Sequence, residues 1–238
     1  EAANYKAATD STDYTDNTNN GTEKVNAGEF TVTVNPTNGD YTGSAHNPTV
    51  TVKDVTGKTL TNDTHYTFSW TANMTNAGTK TVTVTGKGDY VGVSGTGTYT
   101  INKVAPTLSV EITGTNKVGQ KLTASVSTNS DGDKTYQWWT SDSEAATTGT
   151  SISGATSSEY TLTSSEKGKY VGVTVNVAAG TNWTAKGPAT DITDDTKNGS
   201  GKTYVTITYE KGDNVTAIGK TTENVTGSTT LPTITAAT

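Results

Sequence analysis

Lys87-Gly88-Asp89-Tyr90-Val91-Gly92-Val93 recurs in this chain as Lys167-Gly168-Lys169-Tyr170-Val171-Gly172-Val173, 80 positions later. Six of the seven residue types match. Each copy follows an alternating segment, Thr81 to Thr85 in one case and Tyr160 to Thr163 in the other, and each runs into alternating valines. Both read as one device: a strand, a glycine turn, and a strand entering a core. A repeat of about 80 residues is the size of one small β-domain, so the motif predicts two modules in series.

Composition points the same way. Of 238 residues, 30% are hydrophobic and 17% charged, and about a quarter are threonine. Threonine is β-branched and half polar, and it suits the wet face of a sheet. The 25 glycines and 5 prolines punctuate short runs, as they do in all-β chains. There is no cysteine, which removes disulfides and thiolate metal sites. All 17 basic residues are lysine, the net charge is −6 and no basic cluster is present, which argues against nucleic acid as a partner. No apolar run approaches the ~20 residues of a membrane-spanning helix, so no membrane insertion is expected.

Residues 1–25 are rich in Asn, Asp and Thr and read as a flexible leader, with docking of Tyr5 or Tyr14 on the first module as the alternative. From Phe30 the period becomes two. Phe30, Val32 and Val34 share a face, and Val50/Val52, Tyr66/Phe68/Trp70, Val82/Val84 and Val91/Val93 repeat the pattern up to Tyr99 and Ile101. Asn38-Gly39-Asp40, Thr56-Gly57-Lys58 and Asn62-Asp63 supply turn chemistry between them. Residues 26–104 are thus expected to form a first β-sandwich of six or seven strands.

Several segments of this module resemble a bacterial immunoglobulin-like repeat. They are Tyr41-Thr42-Gly43-Ser44-Ala45, Pro48-Thr49-Val50-Thr51-Val52, Tyr66-Thr67-Phe68-Ser69-Trp70, Asn76-Ala77-Gly78-Thr79 and Val84-Thr85-Gly86-Lys87-Gly88-Asp89-Tyr90. A boundary is expected at Val104-Ala105-Pro106, because the residue before proline is held extended. Residues 105–192 then carry Val118-Gly119-Gln120-Lys121-Leu122-Thr123-Ala124, Tyr136-Gln137-Trp138-Trp139, Ile152-Ser153-Gly154-Ala155-Thr156 and the second motif copy. These resemble a second bacterial immunoglobulin-like family. Leu122, Ala124 and Val126 are expected on one inner face, Tyr136 and Trp138 on the facing sheet, and Val171, Val173, Val175 and Val177 in another inward row. Residues 193–201 read as a polar linker. Residues 202–238 read as a partial third β-unit with one strand from Tyr204 to Tyr209; they resemble the first half of a β-rich surface repeat. They either pack on the second module or begin a longer domain. Leu231-Pro232-Thr233-Ile234-Thr235 lacks the glycine of a sortase signal.

No residue pattern points to catalysis, a cofactor or a metal. His46 and His65 sit beside turns, and the carboxylates fall in turns and linkers. Asn129-Ser130-Asp131-Gly132-Asp133 echoes part of a calcium loop but lacks its distant glutamate. Asp191, Asp194 and Asp195 are a weaker cation candidate at a junction. The one ligand signal is aromatic. Trp138 should be core, and strict alternation turns Trp139 with Gln137 onto the outer sheet surface. Trp183 lies by a loop. An exposed ring beside amides can stack on the apolar face of a sugar. The opposing reading is that Trp139 and Trp183 cover inter-sheet or inter-domain surface, since the resembled family often has an aromatic residue at both places.

The expectation is therefore an all-β, non-enzymatic chain of tandem immunoglobulin-like β-sandwiches without a cofactor. The resemblances imply a secreted or cell-surface protein of a Gram-positive bacterium, acting as a spacer, stalk or adhesion element. Its partners would be the other domains of the same surface protein, with a polysaccharide or host cell-surface protein as the ligand classes left open. The alternative is a carbohydrate-binding module built on Trp139, Gln137 and Trp183.

Overall fold

The computed structural model describes residues 28–208 and 222–227. The expectations for residues 1–25, Tyr209 and Leu231–Thr235 lie outside the described residues. The chain divides into two compact units, Glu1–Val104 and Ala105–Thr238. Both are built from strands, and the fold is all-β.

The first unit contains β1 (Thr31–Asn35), β2 (Asn38–Asp40), β3 (Thr49–Lys53), β4 (Tyr66–Trp70), β5 (Gly78–Gly86) and β6 (Ser94–Asn102). β1 and β3 form one antiparallel sheet, and the other runs β2-β6-β5-β4. Alternation places one face of each strand inward. Phe30, Val52, Tyr66, Val84, Tyr90 and Val93 pack in one core cluster, and Val34, Val82, Tyr99 and Ile101 in another. Gly95 and Gly97 take inward positions on β6. A β-carbon at Gly95 would lie 2.7 Å from the Phe30 carbonyl, and one at Gly97 2.9 Å from a Val34 methyl. The missing side chains let β1 lie directly on β6. β2 pairs with β6 in the parallel sense, Asn38 opposite Thr100 and Asp40 opposite Asn102.

The second unit contains β7 (Leu108–Thr113), β8 (Lys121–Thr128), β9 (Lys134–Ser141), β10 (Thr150–Ser151), β11 (Glu159–Thr161), β12 (Tyr170–Val177), β13 (Lys186–Ile192), the short helix α1 (Asp195–Asn198), β14 (Val205–Thr208) and β15 (Thr222–Val225). Sheet β10-β9-β12-β13 faces sheet β11-β8-β7. Ile112, Leu122 and Ala124 meet Trp138, Val171, Val173 and Val175 between them. Trp138 is fully buried, and its indole N–H donates to the Ser157 carbonyl at 2.9 Å.

The two motif copies share a glycine turn, with Gly88 at φ 59° and Gly168 at φ 81°, and then diverge. In the first copy Gly88–Tyr90 is a 3-10 turn. Tyr90 is buried, and its hydroxyl donates to Asp54 Oδ2 at 3.1 Å. The chain bonds to itself, Val91 N–H to the Gly88 carbonyl and Val93 N–H to the Tyr90 carbonyl. Val91 is 75% exposed, so its expected inward place is corrected. In the second copy the 3-10 turn, Ser164–Glu166, comes before the motif, and Tyr170 already starts β12. Val171, Val173, Val175 and Val177 are all buried. Here the neighbours hold the chain straight: Thr193 bonds both main-chain groups of Val171, and Thr203 bonds Gly168 and Lys169. One local sequence thus takes two conformations because its hydrogen-bond partners differ.

Residues 193–201, read as a linker, are a packed part of the second unit. Asn116, Thr193, Asn198 and Thr203 are all buried. The Asn116 amide donates to Thr193 Oγ1 (3.0 Å) and the Gly201 carbonyl (2.7 Å), and its oxygen accepts from the Thr203 hydroxyl (2.7 Å). Asn198 donates to the carbonyls of Ile112 and Gly114. Polarity suggested a linker, but the buried side-chain polar atoms here have protein partners, which is what permits burial. The described part of residues 202–238 continues from this knot. Lys117 and Tyr204 form a parallel bridge, and the Thr226 carbonyl comes so close to Gly168 that a β-carbon there would lie 2.6 Å from it.

Asp194 caps α1, accepting from the Thr196 hydroxyl (2.6 Å) and the Thr196 and Lys197 main-chain N–H groups. The Thr196 hydroxyl first, and then the Lys197 N–H, lower its pKa from 3.8 to about 2. The folded value lies below the unfolded one, so the carboxylate stabilises above the unfolded pKa and loses that contribution as pH falls from about 4 through about 2. The stability advantage of the native chain over Asp194→Asn is expected to shrink across that interval in thermal melts. An advantage independent of pH would contradict the capping role.

Candidate functional site

The three residues that carry the sugar-binding expectation are Trp139, Gln137 and Trp183. Alternation along β9 does send Trp138 inward and Trp139 to the outer face, but Trp139 is only 3% exposed. Its register partner on β12 is Gly172. With no side chain there, the indole lies flat on the strand, and a β-carbon at Gly172 would overlap ring atoms Cζ2 and Cη2. Gly149 approaches from the edge, where a β-carbon would lie 2.6 Å from Cε3. The indole N–H donates to Thr174 Oγ1 at 3.0 Å. The expected exposed platform is therefore corrected: a glycine slot and the segment entering β10 cover the ring.

Gln137 is half-buried, and both amide hydrogens are committed to main-chain carbonyls, of Trp138 (2.8 Å) and Ile152 (2.9 Å). The bond to Ile152 fastens the segment after β10 to β9. Trp183 is half-buried beyond the end of β12, and its carbonyl accepts from Gly180 N–H. Its loop is tied to the Asp131-Gly132 turn, since the Thr181 main-chain N–H donates to Asp131 at 2.9 Å. Trp139 pairs with Gly172, whereas Trp183 follows Val177, five residues further along the strand. At about 3.3 Å per residue this sets them on the order of 17 Å apart along the strand direction. The structure does not bring the three residues into one site.

The other candidates are engaged internally. His46 Nδ1 bonds the Tyr99 hydroxyl (2.7 Å), with the two rings 5.5 Å apart, so His46 is packed rather than free in a loop. His65 Nδ1 accepts from Thr61 N–H (2.9 Å). Asn129 Oδ1 accepts from Thr107 N–H, and Ser130 Oγ from Gly132 N–H. Asp191 accepts from Ile112 N–H at 2.6 Å and faces Lys197 at 3.6 Å, and Asp195 accepts from Gly201 N–H. Among the described residues no three His, Asp or Glu side chains converge as a metal site. The buried Glu166 completes a capping box on Thr163. Sequence reasoning missed the knot of Asn116, Thr193, Asn198 and Thr203. Its residues are polar, and nothing in their spacing shows that they meet.

No protein-family profile matches the chain, and no curated protein matches it. Among solved structures, the crystal structure of the S-layer protein SbsC, domains 7, 8 and 9, is similar at 12% identity and a TM-score of 0.23. The similarity covers 75% of this chain and 65% of that one, so the chain spans less than two thirds of its length. The immunoglobulin-like families remain resemblances of the segments quoted above.

Filling the Trp139 slot tests its structural role. Gly172→Val is expected to destabilise the second unit by about 1–3 kcal/mol through overpacking and to shift tryptophan emission to the red. Urea unfolding followed by fluorescence measures both. Unchanged stability would show that Trp139 does not depend on the slot.

Proposed function

We propose that the chain is a non-catalytic, load-bearing module of a larger extracellular bacterial surface protein, acting as a spacer or adhesion element. The observation that carries this reading is the parallel pairing of β2 with β6 in the first unit. β2 lies near the start of the unit and β6 at its end. Tension on the two ends pulls parallel neighbours in opposite directions along their own axes. Their hydrogen bonds, among them Thr100 N–H to the Thr37 carbonyl and Tyr41 N–H to the Asn102 carbonyl, are then strained together, not one by one. Asn102 Nδ2 adds a side-chain bond to Asp40 at 3.0 Å.

The second unit ties its early segment to the stretch after β13 by other means. Asp191, Asn198 and the Asn116 group join residues 112–118 to residues 191–204, which lead into β14. Asn116 and Tyr204 exchange a further main-chain bond at 3.1 Å. The first unit thus bonds an early strand to β6, and the second bonds the end of β7 and the following turn to residues 191–204, without cysteine. The extracellular bacterial setting is supported by the immunoglobulin-like resemblances, and the proposed partners are the neighbouring domains of the same protein. No helix among the described residues is long and apolar enough to cross a membrane.

The second reading, polysaccharide binding, now rests on Trp183, which is half-buried and not sealed like Trp139. It predicts a saturable tryptophan-fluorescence change with soluble glycans that Trp183→Ala abolishes and that is indifferent to Gln137→Ala. No change across a broad panel would remove it.

Single-molecule pulling tests the first reading without destabilising the core. Handles at Glu29 and Lys103 load β2 against β6 in shear. Handles at Thr67 and Thr85, which are register partners, peel β4 from β5. The end-to-end geometry is expected to need a clearly higher force to unfold the first unit. Equal forces would count against a load-bearing role.

A further inference from the structure

β4 is the free edge of the four-stranded sheet in the first unit. Its register on β5, with Thr71 N–H donating to the Thr81 carbonyl at 2.9 Å, sets which groups face outward. Thr67, Ser69 and Thr71 turn their main-chain groups to β5, and Tyr66, Phe68 and Trp70 turn theirs away. The Tyr66 carbonyl accepts from Asp63 N–H. Among the described residues the outward groups of Phe68 and Trp70 have no main-chain partner.

Sheet edges are normally guarded by lysine, proline, a bulge or a covering segment. β4 reads Tyr-Thr-Phe-Ser-Trp and pairs with β5 without a bulge. Phe68 is 39% exposed, one of three large apolar side chains that stand out among the described residues. The outer face of the sheet is uncharged as well. Every outward position of β4, β5 and β6 as far as Thr100 is serine or threonine. In a chain of net charge −6, this edge can meet a copy of itself without opposing like charges.

We propose that β4 is a self-association edge, at which two copies of the chain pair β4 to β4, antiparallel, about a two-fold axis at Ser69. The arrangement follows from the parity. Phe68 lies opposite the partner's Trp70, and the reverse, so that each pair exchanges two main-chain hydrogen bonds. The rings of each pair share the inner face, where aromatic cross-strand contacts are favourable. Ser69 lies opposite the partner's Ser69 as a pair without hydrogen bonds. The centre avoids Tyr66, whose outward carbonyl is already taken by Asp63. Four bonds and two aromatic pairs make a weak contact alone, and it gains strength when copies are displayed side by side on one surface.

The absence of cysteine allows a direct test on the full chain. Opposed residues in such a pair have Cα atoms about 4.5 Å apart, within the range a disulfide bridges. Under mild oxidation Ser69→Cys is expected to form a covalent dimer at least about ten-fold faster than Thr85→Cys, whose thiol lies on the same face of the interior strand β5. Adding Phe68→Lys to Ser69→Cys is expected to abolish that advantage, with circular dichroism confirming the fold. Equal crosslinking of Ser69→Cys and Thr85→Cys, or a rate unaffected by Phe68→Lys, would overturn the proposal. So would equally fast capture of an unrelated cysteine-bearing threonine-rich peptide, which would mark β4 as an acceptor for any strand.

Discussion

The side chain of Asn116 holds the second unit together at the place where its sequence looks least structured. It reaches Thr193, Gly201 and Thr203 with three hydrogen bonds and is wholly buried. Thr193 then bonds Val171, and Asn198 bonds the end of β7. Removing one member would leave buried polar groups without partners, each costing about 1–3 kcal/mol. Apolar packing alone could not set the path of residues 191–204, because few apolar side chains are there. The path is set by which carbonyl and hydroxyl each group can reach.

A different device works in the sheets. Gly95 and Gly97 let β1 settle on β6, and Gly172 opens the slot that receives Trp139. A chain with 30% hydrophobic residues and no disulfide has little apolar surface to spare. Close approach of backbone to ring and backbone to strand uses that surface fully, since dispersion forces fall steeply with any gap. The same economy takes Trp139 from the solvent. Its indole N–H bonds Thr174, and its ring contributes to packing on the outer face of the sheet.

These features bear on function together. Polar side chains of the kind that grip ligands serve the fold here: Gln137 fastens the segment after β10, Asp131 ties down the Trp183 loop, and Asp194 caps α1. The outer face of β4, β5 and β6 as far as Thr100 presents serine and threonine hydroxyls. The parallel pairing of β2 with β6 and the uncharged β4 edge are the features on which the proposed load-carrying and self-association roles rest.

Strand periodicity was legible in the sequence because alternation of valine with threonine has one cause, a half-buried sheet. It located the inward rows at Val82/Val84 and Val171–Val177, the core place of Trp138 and the outward turn of Trp139. Burial of Trp139 was not legible, because it depends on Gly172, 33 positions away, being its register partner. Neither was the packing of residues 193–201, since polar residues look alike whether water or a buried carbonyl receives their hydrogen bonds. The repeated motif shows the division most directly. Its glycine turn follows from local chemistry, for Gly88 and Gly168 both adopt the left-handed conformation that glycine favours. Whether the following Tyr-Val-Gly-Val coils or extends was decided only by tertiary structure. Asp54 draws Tyr90 into the first core, while Thr193 and Thr203 hold the second copy as a strand, because the main chain follows whichever partners satisfy its hydrogen bonds.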